Sequence, residues 1–112
     1  MNKSNHKIRI EHIKDAILLI NSFVQNQTET DFLADIKGQN AVLYQFLIIG
    51  EAIRNVDNSI LDKYSYPWHI PRSFRNFIAH EYHKIKMESV YRASNDLNTL
   101  LTVVEQILKN EF

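Results

Sequence analysis

In its C-terminal half the chain reads RNFIAHEY, residues 75 to 82. Four of these residues, Arg75, Asn76, His80 and Tyr82, carry groups that do chemistry on phosphate esters. A histidine with an ordinary pKa near 6.5 can take the proton from a ribose 2′-hydroxyl or return one to a leaving oxygen. An arginine can neutralise charge that develops on phosphoryl oxygens. Together they suit phosphodiester cleavage that needs no metal. One histidine supplies only half of an acid–base pair, so a two-fold dimer that brings two copies together would complete the site.

Competing chemistries find less support. HEYH places His80 and His83 three apart, which is not the HExxH spacing of zinc proteases, and no cysteine or dense carboxylate cluster lies nearby to complete a metal site. Neither a metal nor another cofactor is expected. Glycine-rich phosphate loops and a Gly-x-Ser-x-Gly elbow are absent, and His6, His12 and His69 read as surface or packing residues.

Surrounding residues fit a nucleic-acid partner. The whole chain is neutral, with 13 basic and 13 acidic residues, so no global field draws it to nucleic acid or an anionic membrane. Between Lys63 and Lys86, however, Lys63, Arg72, Arg75, Lys84 and Lys86 face a single acid, Glu81, and are interleaved with Tyr64, Tyr66, Trp68 and Tyr82. Cations beside aromatic rings suit a phosphate backbone and unstacked bases, so Arg72, Lys84 and Lys86 are candidate RNA-binding residues. Glu51, a carboxylate in a mostly apolar segment, is either a supporting partner for Arg75 or an exposed glutamate at the end of the apolar stripe.

The elements that must position these groups are helical. Two glycines and two prolines in 112 residues leave few breakers, no segment alternates with period two, and 45% hydrophobic residues fit one domain over residues 1–112 with a single core. Ile10, Ile13, Ile17, Ile20 and Val24 mark one face of a helix from about Ser4 to Gln25. Thr30 is the expected N-cap of a short helix closed by Gly38. Residues 39 to 56 are apolar on more than one face and predict a central helix, in which Gly50 implies close approach of another backbone. DNSILDKY predicts a short helix or turn and SYPWHIP a stiff loop. A helix then starts at Pro71 and runs to about His80, and a last long helix carries Val90 to Leu108. The expectation is an all-α, up-and-down bundle of five helices.

On a wheel of about 100° per residue, Phe74, Phe77 and Ile78 fall on one stripe, which is expected to be buried. Arg72, Arg75, Asn76, Ala79 and His80 share the opposite face, with the small Ala79 as the floor between the polar groups.

With these residues on the page, the sequence resembles the HEPN-domain ribonuclease toxins of the HepT type. The resemblance rests on Arg75-Asn76-x3-His80-x-Tyr82, matching the family's Arg-x4-His-x-Tyr motif, with RIEHI in the first helix, IGEAI in the third and YPWHIP before the motif as ordered support. It implies a HEPN-like four-helix bundle with an extra short helix, a homodimer with a composite cleft, and metal-independent RNA cleavage. Arg75 and His80 would be the catalytic pair, with Asn76 beside them. The implied partner is a minimal nucleotidyltransferase (MNT-type) antitoxin that attaches AMP to the motif tyrosine, here Tyr82. Phe74 stands where many relatives have methionine, and the basic KIK at 84–86 where they often carry an acid. The competing expectation is a non-catalytic helical adaptor that binds a nucleotide or a protein through the same face, and a third is a purely structural bundle.

The N-terminal MNKSNHKIRI is polar and lacks a signal-peptide core, and the longest apolar run is far too short to span a bilayer. With no cysteine in the chain, a cytoplasmic protein with no membrane partner is expected.

Overall fold

The computed structural model describes residues 3–112, with side chains from residue 5 onward; residues 1 and 2 of the expected 1–112 domain lie outside it. All regular structure among the described residues is helical: α1 (Lys3–Val24), α2 (Glu29–Leu33), α3 (Ile36–Arg54), α4 (Asn58–Leu61), α5 (His69–His80), α6 (Met87–Ser94) and α7 (Asn98–Glu111). One 3₁₀ turn, Tyr82–Lys84, separates α5 from α6.

α1 packs along α3 on one side and α7 on another, α3 packs on α5, and the short α2 sits on α6. The isoleucine stripe of α1 supplies the centre: Ile10, Ile13, Ile17 and Ile20 are fully buried, and Val24 nearly so. Each such side chain contributes about 1.5–3 kcal/mol when taken out of water, so this stripe is a substantial part of what holds the bundle together. From α3, Val42, Leu43, Phe46, Ile49, Ala52 and Ile53 meet it, as the two-sided apolar pattern predicted. Asn26 ends α1 in the left-handed region at φ 67°, a conformation that asparagine tolerates at a helix C-terminus.

Several boundaries differ from the sequence expectation. Thr28, not Thr30, caps α2: its hydroxyl accepts from the Asp31 N–H at 3.1 Å while the Asp31 carboxylate accepts from the Thr28 N–H at 3.0 Å, a reciprocal capping box. Gly38 does not close α2. It lies in the first turn of α3, where its N–H donates to the side chain of the N-cap Asp35 at 2.9 Å. α5 begins at His69, two residues before Pro71, which still falls in the first turn, where a missing N–H costs nothing.

The last long helix is in fact two. Ser94 Oγ donates to Val90 O at 2.8 Å and Asn95 Nδ2 to Tyr91 O at 2.9 Å, so polar side chains take carbonyls of the preceding turn and α6 stops at Ser94. The apolar period continues through the break, with Leu97, Leu100, Val104 and Ile107 all buried, which is why the periodicity concealed it.

The loop before α5 is anchored through its aromatic residues. Trp68 is buried with its indole N–H donating to Leu61 O at 3.1 Å, and Tyr66 lies against it at 4.8 Å between ring centroids. Tyr64 and Lys63 both bind the Glu111 carboxylate, at 2.8 and 2.9 Å. Burial and that carboxylate push the Tyr64 phenol above its usual pKa. This anchoring fixes where α5, and the motif it carries, can start.

Candidate functional site

α5 carries Arg72, Arg75, Asn76 and His80 at spacings that keep them on one side of the helix, and the structure confirms that placement: all four line one cleft of about 470 Å³, together with Gly50 and Arg54 of α3. The floor is Gly50, not Ala79. A Cβ at position 50 would stand 2.2 Å from Arg75 Cβ and 3.0 Å from the Pro71 carbonyl oxygen, so the two helices can be this close only at a glycine. Close approach of a neighbouring backbone was the expectation for Gly50, and the Pro71 carbonyl supplies it, with the Arg75 stem closer still.

Arg75 is held from two sides. Its Nη2 lies 3.3 Å from Glu51 Oε2, and its Nη1 donates to Asn76 Oδ1 at 3.2 Å. Of the two sequence readings of Glu51, the pairing with Arg75 is therefore the one present. Glu51 also receives Asn55 Nδ2, at 3.4 Å on Oε1 and 2.8 Å on its main-chain carbonyl. Arg75 is only 24% exposed at its side chain, so its guanidinium is set by the protein rather than by solvent. Arg72 donates to Asn58 Oδ1 at 3.2 Å. His80 is exposed at the last position of α5.

One expectation needs correction. Phe77 is 40% exposed, so the apolar side of α5 is carried by Ile78, which is buried, and by Phe74, edge-on to Phe46 with centroids 4.9 Å apart. The basic residues around the motif divide between the cleft and its surroundings. Lys63 is paired with Glu111, Lys84 with Glu81 at 3.4 Å, and neither they nor the exposed Lys86 line the cleft. Trp68 and Tyr64 make their hydrogen bonds within the protein and Tyr66 lies against Trp68, so of Tyr64, Tyr66, Trp68 and Tyr82 it is Tyr82 that is exposed. Tyr82 itself is 56% exposed, and its hydroxyl donates to Asn40 Oδ1 at 3.2 Å, near the start of α3 and outside the residues lining the cleft.

Two residues at or near the site escaped the sequence reading. Arg54 had a usable signal, because it follows Gly50 by four residues on a helix and must share its face. Asn40 had none, being paired with Tyr82 only through the fold.

Residues 13–107 match the family described as "Ribonuclease HepT-like". The chain belongs to the HepT-like ribonuclease family. Among curated proteins it is 31% identical over 109 residues to a "Probable ribonuclease HepT" of Thermococcus cleftensis, covering 96% of this chain and 99% of that one. It is 29% identical over 104 residues to a "Putative RNase" of Methanocaldococcus jannaschii, covering 88% and 83%. A third relative, from the same archaeon and named "Gamma-glutamylcyclotransferase and putative RNase", is 30% identical over 94% of this chain, which spans half of that longer protein. No solved structure gives a significant match. The family supports a ribonuclease activity with RNA as the substrate class. Among the described residues no helix is long and apolar enough to cross a membrane.

Proposed function

We propose that this protein is a cytoplasmic endoribonuclease toxin that cuts RNA without a metal, using Arg75 and His80. The observation that carries the reading is the gathering of Arg72, Arg75, Asn76 and His80 in one cleft, with Arg75 oriented by Glu51. In the reaction the 2′-hydroxyl oxygen attacks the adjacent phosphorus, its proton passes to a base, and the 5′-oxygen leaves with a proton from an acid. The products are a 2′,3′-cyclic phosphate and a new 5′-hydroxyl end. Arg75 stabilises the extra charge on the non-bridging oxygens, and His80 supplies one of the two proton transfers. The exposed position of His80 lets a second copy of the chain contribute its own histidine across a two-fold axis, which provides the other.

In the same reading a minimal nucleotidyltransferase antitoxin silences the enzyme. The Tyr82 phenol attacks the α-phosphorus of ATP, pyrophosphate leaves, and the phenolic proton is lost. The exposure of Tyr82 and its distance in sequence of only two residues from His80 support this, because the added phosphodiester brings negative charge to the neighbourhood of the catalytic pair.

The test is incubation with single-stranded RNA in excess EDTA. Wild type generates cyclic-phosphate ends; His80→Ala loses about 10²–10⁴ in rate and Arg75→Ala about 10²–10³, both remaining folded. A requirement for a divalent ion would overturn the mechanism, and binding without cleavage would point instead to the helical adaptor. Co-expression with the antitoxin adds the mass of AMP to the Tyr82 peptide, and Tyr82→Phe stays active in its presence.

A further inference from the structure

The cleft holds more positive charge than the cleavage step uses. Arg54, Arg72 and Arg75 line it, and Glu51, paired with Arg75, is the carboxylate beside them. Three guanidinium groups against one carboxylate leave two positive charges, while a single scissile phosphodiester carries one negative charge. Arg72 donates to Asn58, a neutral acceptor that leaves its charge uncompensated. Arg54 is exposed and has no hydrogen bond or ion pair with any described residue.

The placement of the two spare cations is specific. α3 and α5 run antiparallel across the site, since Gly50 faces Arg75 and Pro71 at one level while Asn40 meets Tyr82 at the other end. Arg54 follows Gly50 by one helical turn, and Arg72 precedes Arg75 by one. Both therefore lie beyond the Gly50–Arg75 contact on the same side, away from His80 and Tyr82. One turn is about 5.4 Å of helix, comparable to the step from one phosphate to the next along an RNA strand.

We propose that Arg54 and Arg72 form a second phosphate subsite that holds the phosphodiester next to the one being cut, so that the cleft engages at least two consecutive phosphates. The inference rests on the nuclease reading of the cleft and adds the length and charge of substrate it requires. Arg54 is a binding residue for the flanking phosphate, and its position in the last turn of α3 leaves the side chain free to follow the strand.

The experiment uses an RNA oligonucleotide with its cut mapped, and two versions carrying an uncharged methylphosphonate at the linkage on either side of that cut. For wild type, one of the two neutral linkages raises KM about tenfold and leaves kcat within about threefold. Arg54→Gln raises KM on the fully charged strand by a similar factor, no longer responds to that neutral linkage, and lowers the slope of log affinity against log salt by about 0.7. Arg54→Lys restores part of the loss. If Arg54→Gln leaves KM unchanged, or still responds to the neutral linkage as wild type does, the subsite is wrong while the nuclease reading stands. If wild type cuts no RNA, the nuclease reading fails, and fluorescence anisotropy with labelled UpU and UpUpU still decides the subsite. About tenfold tighter binding of the trinucleotide, lost in Arg54→Gln, supports it; equal binding overturns it.

Discussion

At the N-terminal end of α3, Gly38 leaves room for the carboxylate of Asp35, three residues before it in the chain. At the C-terminal end, Gly50 leaves room for Arg75 and the Pro71 carbonyl, which belong to a different helix. Both are helical glycines with negative φ, so neither is there for a left-handed conformation. They differ in what stands in the vacated space. A Cβ at Gly38 would meet the far end of a flexible side chain at 2.1 Å, which can swing away. A Cβ at Gly50 would meet the stem of Arg75 at 2.2 Å and a main-chain oxygen at 3.0 Å, and neither can move without moving α5. One glycine serves a cap within its own helix, and the other sets the distance between the two helices that build the cleft.

Gly50→Ala should therefore have the largest effect. The gain of about 1 kcal/mol from replacing glycine in a helix is outweighed by overpacking, which typically costs 1–3 kcal/mol, with more where main chain must shift. Urea unfolding should show a lower midpoint, and because Arg75 is displaced with α5, RNA cleavage should fall by about 10²-fold. A Gly50→Ala protein of wild-type activity would mean that the spacing of α3 and α5 does not govern the site.

Glu51→Gln probes the same end of α3 more gently. The Arg75–Glu51 pair is partly exposed, so breaking it should change stability by less than about 1 kcal/mol. Its larger consequence is positional: Arg75 keeps Asn76 but loses the carboxylate that aims it, so kcat should fall about tenfold. Neutralising the carboxylate paired with Arg75, in a cleft lined by three arginines, should also tighten RNA binding to a His80→Ala background. Weaker binding in that background would show that Glu51 acts on RNA in some way other than through Arg75.

These two ends of α3 also mark what the sequence could disclose. The isoleucine stripe of α1 and the apolar faces of α3 and α7 were legible because burial repeats with the helical period. The alignment of Arg72, Arg75, Asn76 and His80 followed from the geometry of one helix. Phe77 was misread because a wheel ranks residues by angle alone, while α5 is covered by neighbours on only part of its apolar arc. The break at Ser94 was hidden because Ser94 and Asn95 act through hydrogen bonds that the apolar period does not register. Arg54 joined the cleft, and Lys84 and Lys86 stayed out of it, for a reason no spacing within α5 contains: the cleft's other wall is α3.

Gly38→Ala should differ sharply from its counterpart at position 50. The alanine gains about 1 kcal/mol of helix propensity, while the Asp35 carboxylate is pushed off the residue 38 N–H, so the two changes oppose each other. The urea midpoint should move little and cleavage should be unchanged. A loss comparable to that of Gly50→Ala would erase the distinction between the two glycines.

The smallest effect concerns the charge of that cap. Asp35 Oδ1 accepts the Gly38 N–H at 2.9 Å, and Oδ2 accepts Gln27 Nε2 at 3.0 Å. The main-chain bond first and the Gln27 bond second, with a smaller contribution from Lys37, hold this carboxyl below its ordinary value of 3.8. A carboxyl whose folded pKa is depressed binds its proton more readily in the unfolded chain. Its stabilisation is thus fully present above the unfolded value, and it fades as pH falls from there through the lower folded value. Asp35→Asn keeps an oxygen that can cap the helix but removes the charge. Wild type should exceed Asp35→Asn in thermal midpoint by a constant margin at pH 6 to 8, and the margin should shrink as pH drops below about 4. In Gly38→Ala, where the carboxylate has lost its main-chain donor, the same substitution should give a smaller margin at neutral pH. A margin that persists undiminished to pH 2, or one that is equal in both backgrounds, would show that the Asp35 charge does not stabilise α3 through the Gly38 N–H.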